Sequence, residues 1–178
     1  MKKNLALLGL LFVFGACAEI ESPVENPNPD YFFDLKEYIN QYAASAKAKD
    51  MTLTKEVDKN GEKRSTVQLD SLDWEKELGL IRESDINKPA WKEKYEKSTV
   101  GDTLIYRCTD PELTVRELKV LKNESGVHYI SIQRHTTNVL YTAHQEIQFY
   151  PDSLYAVQAH QVIKVLGENK FTTRLIME

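Results

Sequence analysis

The spacing of apolar residues changes character near residue 99. Before it they recur at helical intervals; after it they alternate, or run in short blocks between turn residues. In the first stretch Phe32, Leu35, Ile39, Tyr42, Ala43 and Ala46 share one helical face, and Lys36, Glu37, Asn40, Lys47 and Lys49 cover most of the rest. This predicts an amphipathic helix capped by Asp30, starting at Tyr31 and ending near Lys49, with its apolar face packed on a sheet. A second helix is predicted from Ser71 to Arg82, with Asp70 as cap and Asp73 three residues on in a variant capping box. Leu69 and Trp74 hold the staple positions there, and Trp74, Leu78 and Ile81 form the buried stripe. The turn Ser84-Asp85-Ile86-Asn87-Lys88-Pro89 starts a short third helix, with Asn87 as cap and Trp91 and Tyr95 four apart.

Residues 51–69, between the first two helices, read as a β-hairpin. A two-residue turn at Asn60-Gly61 would pair Leu53 with Gln68 and scatter the apolar side chains. A three-residue loop Lys59-Asn60-Gly61, with Gly61 left-handed, pairs Leu53 with Val67 and Met51 with Leu69. That register gathers Met51, Leu53, Val57, Val67 and Leu69 on one face, and a one-residue slip would invert every side chain, so it is the expected one. Beyond residue 99, strands are predicted at 103–108, 113–121, 127–134, 139–149, 154–163 and 171–176, with an alternation slip at Glu117-Leu118 marking a bulge. Short turns throughout imply antiparallel neighbours. The expected fold is α+β: an antiparallel β-meander of about six to eight strands with the N-terminal helices packed on one face.

The first residues stand apart from this pattern. Met1-Lys2-Lys3-Asn4 is a short positive start, and residues 5–14 are apolar apart from one glycine. An apolar run of about ten residues is too short to span a bilayer, and the arrangement fits a secretory signal peptide over residues 1–16. Phe14-Gly15-Ala16-Cys17 resembles the acylation site of bacterial lipoproteins, with Phe14 where that pattern usually has Leu. The resemblance implies a diacylglyceryl thioether on Cys17, often with a further acyl chain such as palmitate on its amino group, and so a membrane anchor. The alternative is an ordinary secreted protein with Cys17 free or paired to Cys108. Residues 17–29 form the lipidated cysteine and a flexible tether, because Pro23, Pro27 and Pro29 forbid a helix and favour extended chain. Ala18 after the cysteine favours the outer membrane, and Glu19 and Glu21 faintly resemble the acidic export tags of surface lipoproteins. Residues 30–178 are expected to form a single α+β domain, long enough to bury a core of its own.

Charge and chemistry narrow the function classes. The net charge is −4, and removal of Lys2 and Lys3 with the leader leaves −6, which argues against nucleic acid as a partner. Gly-rich phosphate loops, His-Glu-x-x-His, Gly-x-Ser-x-Gly and Cys-x-x-Cys are all missing from the sequence, so no cofactor or catalytic residue is assigned. The histidines are His128, His135, His144 and His160. On one straight strand His128 and His135, seven apart, point to opposite faces. His144 and Glu146 share a face, and His160 on the next hairpin could join them only if the register allows. That is the one route to a metal-dependent hydrolase. The acidic pairs Asp70 with Asp73, Glu75 with Glu77, and Glu83 with Asp85 read as caps and solvated faces. Cys108 reads as a small hydrophobe on a strand. Tyr106, Tyr129, Tyr141, Tyr150 and Tyr155 either pair across strands or line a groove or interface.

Tyr31-Phe32-Phe33-Asp34-Leu35-Lys36, Leu72-Asp73-Trp74-Glu75-Lys76-Glu77-Leu78, Ser84-Asp85-Ile86-Asn87-Lys88-Pro89-Ala90-Trp91 and Tyr150-Pro151-Asp152-Ser153-Leu154-Tyr155 resemble a group of uncharacterised lipoproteins of Bacteroidetes-type bacteria. The resemblance implies an envelope location and transfers no catalytic residue. The expected role is a membrane-anchored, non-catalytic interaction or scaffold module with a protein partner in the envelope. The alternative is a carrier for a lipid or other apolar ligand held in the sheet interior.

Overall fold

The structure, a computed structural model, describes residues 31–178. The predicted signal peptide, Cys17 and the tether lie outside the described residues.

The first helix, α1, spans Leu35–Ala46 and is capped by Asp34, whose Oδ1 accepts the Glu37 N–H at 2.9 Å. It begins four residues after the predicted start because the preceding residues are committed elsewhere. The Phe32 ring meets Tyr95 and Tyr106 edge-on at 5.8 and 5.5 Å, and the Phe33 N–H donates to the Tyr106 hydroxyl at 3.0 Å. The predicted apolar face is buried in full: Phe32, Leu35, Ile39, Tyr42, Ala43 and Ala46. Removing the cap by Asp34→Ala is expected to cost about 1 kcal/mol in urea unfolding; no measurable loss would show that Asp34 does not set the start of α1.

The predicted second helix is two short ones, α2 at Trp74–Glu77 and α3 at Gly79–Glu83. Asp73, not Asp70, is the cap, accepting the Lys76 N–H at 3.2 Å. Glycine weakens a helix interior, and the break at Leu78, just before Gly79, still leaves Trp74, Leu78 and Ile81 buried. A 3-10 helix at Pro89–Lys94 follows, with Lys88 rather than Asn87 at its cap position.

Among the described residues nine antiparallel strands form one sheet: β1 Leu53–Lys59, β2 Lys63–Leu69, β3 Tyr95–Val100, β4 Thr103–Cys108, β5 Val115–Asn123, β6 Gly126–Thr137, β7 Tyr141–Tyr150, β8 Leu154–Ile163 and β9 Gly167–Met177, in the order β2-β1-β9-β8-β7-β6-β5-β4-β3. Strands β4 to β9 are the expected meander, β3 extends it at one edge, and the N-terminal hairpin adds to the other through β1 and β9. The strand missing from the sequence reading is β3. Only Tyr95 of it is buried and the rest is exposed, as suits an edge strand that resists further pairing, so it carries no apolar alternation to read. The predicted bulge lies one residue earlier, where the β5–β6 register shifts between Val115 and Glu117.

The N-terminal hairpin turns one residue later than expected. Its loop is Asn60-Gly61-Glu62, and Leu53 pairs with Leu69, Lys55 with Val67. Asn60 and Gly61 both take left-handed backbone, and the Gly61 N–H donates to Asp58 Oδ1 at 2.9 Å, which fixes the turn there. The shift moves pairing by two positions and so keeps Leu53, Val57, Val67 and Leu69 on one face. Leu53 is buried, while Val57 and Val67 are exposed.

Strand parity divides the sheet into two faces. Leu118, Ile130, Ile132, Ile147, Phe149 and Leu175 share a fully buried cluster with Leu35, Ile39, Leu78 and Ile81 of the helices. Among the described residues that cluster runs from Phe32 to Met177. The opposite face is left open by the described residues.

Candidate functional site

Register places a row of basic side chains across the open face. His135 of β6 pairs with His144 of β7, His144 with His160 of β8, and His160 with Lys170 of β9. The row one position off-face is Arg134, Gln145, Ala159 and Phe171, and the next open-face row is Gln133, Glu146, Gln158 and Thr172. These twelve residues and Arg116 line a trough of about 450 Å³. Side chains two apart on a strand stand on the same face. The two open-face rows are therefore its walls, and the backbone between them is its floor. At a strand spacing of about 4.8 Å the trough crosses four strands.

The histidines interact with one another. His135 Nδ1 lies 3.1 Å from His144 Nδ1, with ring centroids 4.2 Å apart, and His135 Nε2 is 2.9 Å from the Thr137 hydroxyl. Burial, then the neighbouring charges of His144 and Arg116, hold His135 below the ordinary imidazole range. His160 Nε2 sits 2.8 Å from Glu168 Oε1, and Lys170 Nζ is 3.3 Å from the same oxygen. The Lys170 ammonium first, and then the neighbouring His160, hold the Glu168 carboxyl below its usual range. Gln148 donates to Glu146 Oε1 at 2.9 Å.

Sequence reasoning named these histidines and Glu146 but treated their meeting as an accident of register. Arg116, Lys170, Gln133, Gln158 and Thr172 were missed. A signal was present: His144 and His160 are equidistant from Asp152, and His135 and His144 are equidistant from the Val139-Leu140 step. His128 lies elsewhere, 2.7 Å from Asn123 Oδ1. Among the described residues no three His, Cys, Asp or Glu side chains are arranged to share a metal ion.

The remaining candidates disperse. Tyr106 and Tyr155 are buried in the core, whereas Tyr129 and Tyr150 stack on each other at 4.5 Å. Cys108 is half-buried, its thiol directed at the Asp110 carbonyl at 3.1 Å. Asp73 caps α2; Glu75 pairs with Lys47 at 2.7 Å and Glu77 with Lys55 at 2.7 Å. The Asp85 carboxyl is raised mainly by burial, against backbone N–H groups of Asn87 and Lys36 that favour its charged form. It therefore supports the turn beside α1. No described helix is long and apolar enough to cross a membrane. Comparison with protein-family models, curated proteins and solved structures finds no match to this chain.

Proposed function

We propose that the protein is a membrane-anchored, non-catalytic interaction module of the bacterial cell envelope, whose open sheet face receives a partner. The observation that carries this is the polar trough across β6–β9 on a face that no described element covers. Its walls present Gln133, Gln158, Thr172, Glu146 and the histidine row, a set suited to hydrogen bonding with a polar surface. The apolar side of the sheet is filled by Trp74, Leu78, Ile81, Phe149 and their neighbours, which favours this reading over an apolar ligand held there. The lipid on Cys17 would hold the module at the outer membrane, since two or three chains anchor stably where one does not.

Two measurements test this reading. A photo-crosslinking residue at Gln158, in the full chain in its native envelope, is expected to capture a defined partner, while the same probe at exposed Glu75 on the helical side captures none. Equal capture at both positions, or none at Gln158, would reject the open face as the interaction surface. Cys17→Ala is expected to abolish fatty-acid labelling and release the protein from membranes; retained label would remove the anchor from Cys17.

A further inference from the structure

Two adjacent hairpin tips carry aliphatic side chains where turns ordinarily carry polar ones. Val139 and Leu140 in the β6–β7 turn are 78% and 69% exposed, and Val165 and Leu166 in the β8–β9 turn are 91% and 76% exposed. These turns are built to hold them outward. Asn138 Oδ1 accepts the N–H groups of Leu140 and Tyr141 at 2.8 and 3.0 Å, and the Leu166 N–H donates to Ile163 O at 3.1 Å. The Lys164 N–H donates to Leu140 O at 3.2 Å, joining the two tips into one apolar surface.

Immediately behind this surface stands the basic row. From His135 to Asn138 is three residues, about 10 Å of strand. An apolar element resting in a bilayer interface sinks about 5–10 Å, which leaves what lies behind it at headgroup depth. Arg116, Lys170 and Lys164 are fixed cations there, against the carboxylates of Glu146 and Glu168. His135 faces Arg116 and His144, His144 faces both other histidines and has Glu146 two residues along its strand, and His160 faces Glu168 and Lys170. Protonation of imidazoles in this row adds positive charge at one end of a chain whose net charge is −4.

We infer that this end of the sheet docks onto an anionic lipid surface, the four aliphatic side chains entering the acyl boundary and the Arg116-His135-His144-His160-Lys170 row meeting the headgroup phosphates. The inference deepens the interaction reading by naming a lipid surface as what meets one end of the open face. It does not depend on Cys17. Charge complementarity selects lipid over a second copy of this acidic chain, and a row of imidazoles that gain charge in acid makes the docking stronger at lower pH.

The test is flotation of residues 31–178, their folding first verified by cooperative urea unfolding, with phosphatidylethanolamine–phosphatidylglycerol vesicles at about pH 5.5 and about pH 7.5, which bracket the pKa of about 6.5 of a free imidazole. The domain is expected to float with the vesicles, more at the lower pH. Leu140→Ser with Leu166→Ser should weaken partitioning by roughly tenfold or more, and His144→Gln should reduce the acid enhancement. Both tip residues are exposed, so the fold is retained. The inference is overturned by absence of partitioning at both pH values, by partitioning unchanged in the tip variant, or by equal binding to phosphatidylcholine vesicles. Release by inorganic phosphate at matched ionic strength would instead make the row a free-anion site and also overturn it. If docking fails while the Gln158 crosslink still captures a protein, the interaction reading stands without the lipid.

Discussion

Raising the pH above about 10 is expected to unfold the protein in one cooperative step, with tyrosinate absorbance and loss of circular dichroism rising together. Tyr42, Tyr95, Tyr106 and Tyr155 are all buried, and burial is the largest cause of the raised pKa of each. Half-buried Tyr38 is pushed up to about 12 by burial and then by Asp152. At Tyr42 burial is opposed by the Asp152 N–H, which favours the tyrosinate, and aided by the Asp152 carboxylate, whose Oδ1 accepts the Tyr42 hydroxyl at 3.0 Å. The sign follows from proton binding. Above about 10 the unfolded chain releases these protons and the native state keeps them, so stability present in full below that pH falls as pH rises. Each tyrosine contributes a slope of at most about 1.4 kcal/mol per pH unit, and four together about 5; solvent screening at partly covered hydroxyls reduces this. Against a typical stability of about 5–15 kcal/mol, unfolding should be complete within a few pH units. Tyr155→Phe should move the midpoint upward by removing one of these protons. A gradual absorbance rise centred near 10 with unchanged circular dichroism would show that the rings are open to solvent.

Phe149→Ala is expected to cost about 3–5 kcal/mol in urea unfolding. Phe149 is fully buried on β7, pairs with Ile130 across to β6, and meets the ring of Tyr42 on α1 edge-on at 5.0 Å. Truncation removes the ring and leaves a cavity between α1 and the sheet. It also loosens Tyr42, whose hydroxyl both donates to Asp152 Oδ1 and accepts its N–H at 3.1 Å, holding α1 to the β7–β8 turn. Gln158→Ala on the open face should fall within about 0.5 kcal/mol of the parent. A loss for Phe149→Ala below about 1 kcal/mol would mean that α1 is not seated on β7.

Where local chemistry was sufficient, the reading from residues alone reached the structure. The stripe Phe32-Leu35-Ile39-Tyr42 is buried because its helical spacing leaves one apolar face with no alternative fate. The six strands after residue 99 lie between turn residues, and the turns impose antiparallel pairing. Failures came where the deciding contact is remote. Asp34 replaces Asp30 as the cap because Phe32 and Phe33 are held by Tyr106, more than seventy residues away. Strand β3 was invisible because an edge strand that buries only Tyr95 has no apolar period. The hairpin loop moved by one residue because Asp58 and a left-handed Asn60 chose the turn, although face parity survived the shift.

The candidate site divides in the same way. Its residue types are plain in the chain, and hairpin symmetry about Asp152 and about the Val139-Leu140 step sets His144 opposite both His160 and His135. Periodicity and turn chemistry thus determined by themselves the buried helix face, the meander and the alternation of its strands, because those depend on neighbours in the chain. Only the tertiary structure decided which sheet face the helices cover, that β1 closes onto β9, and that Arg116, three histidines and Lys170 form one row behind two apolar tips. Those outcomes depend on registers summed over several strands and on where a distant helix finds its partners, and no single segment carries that information.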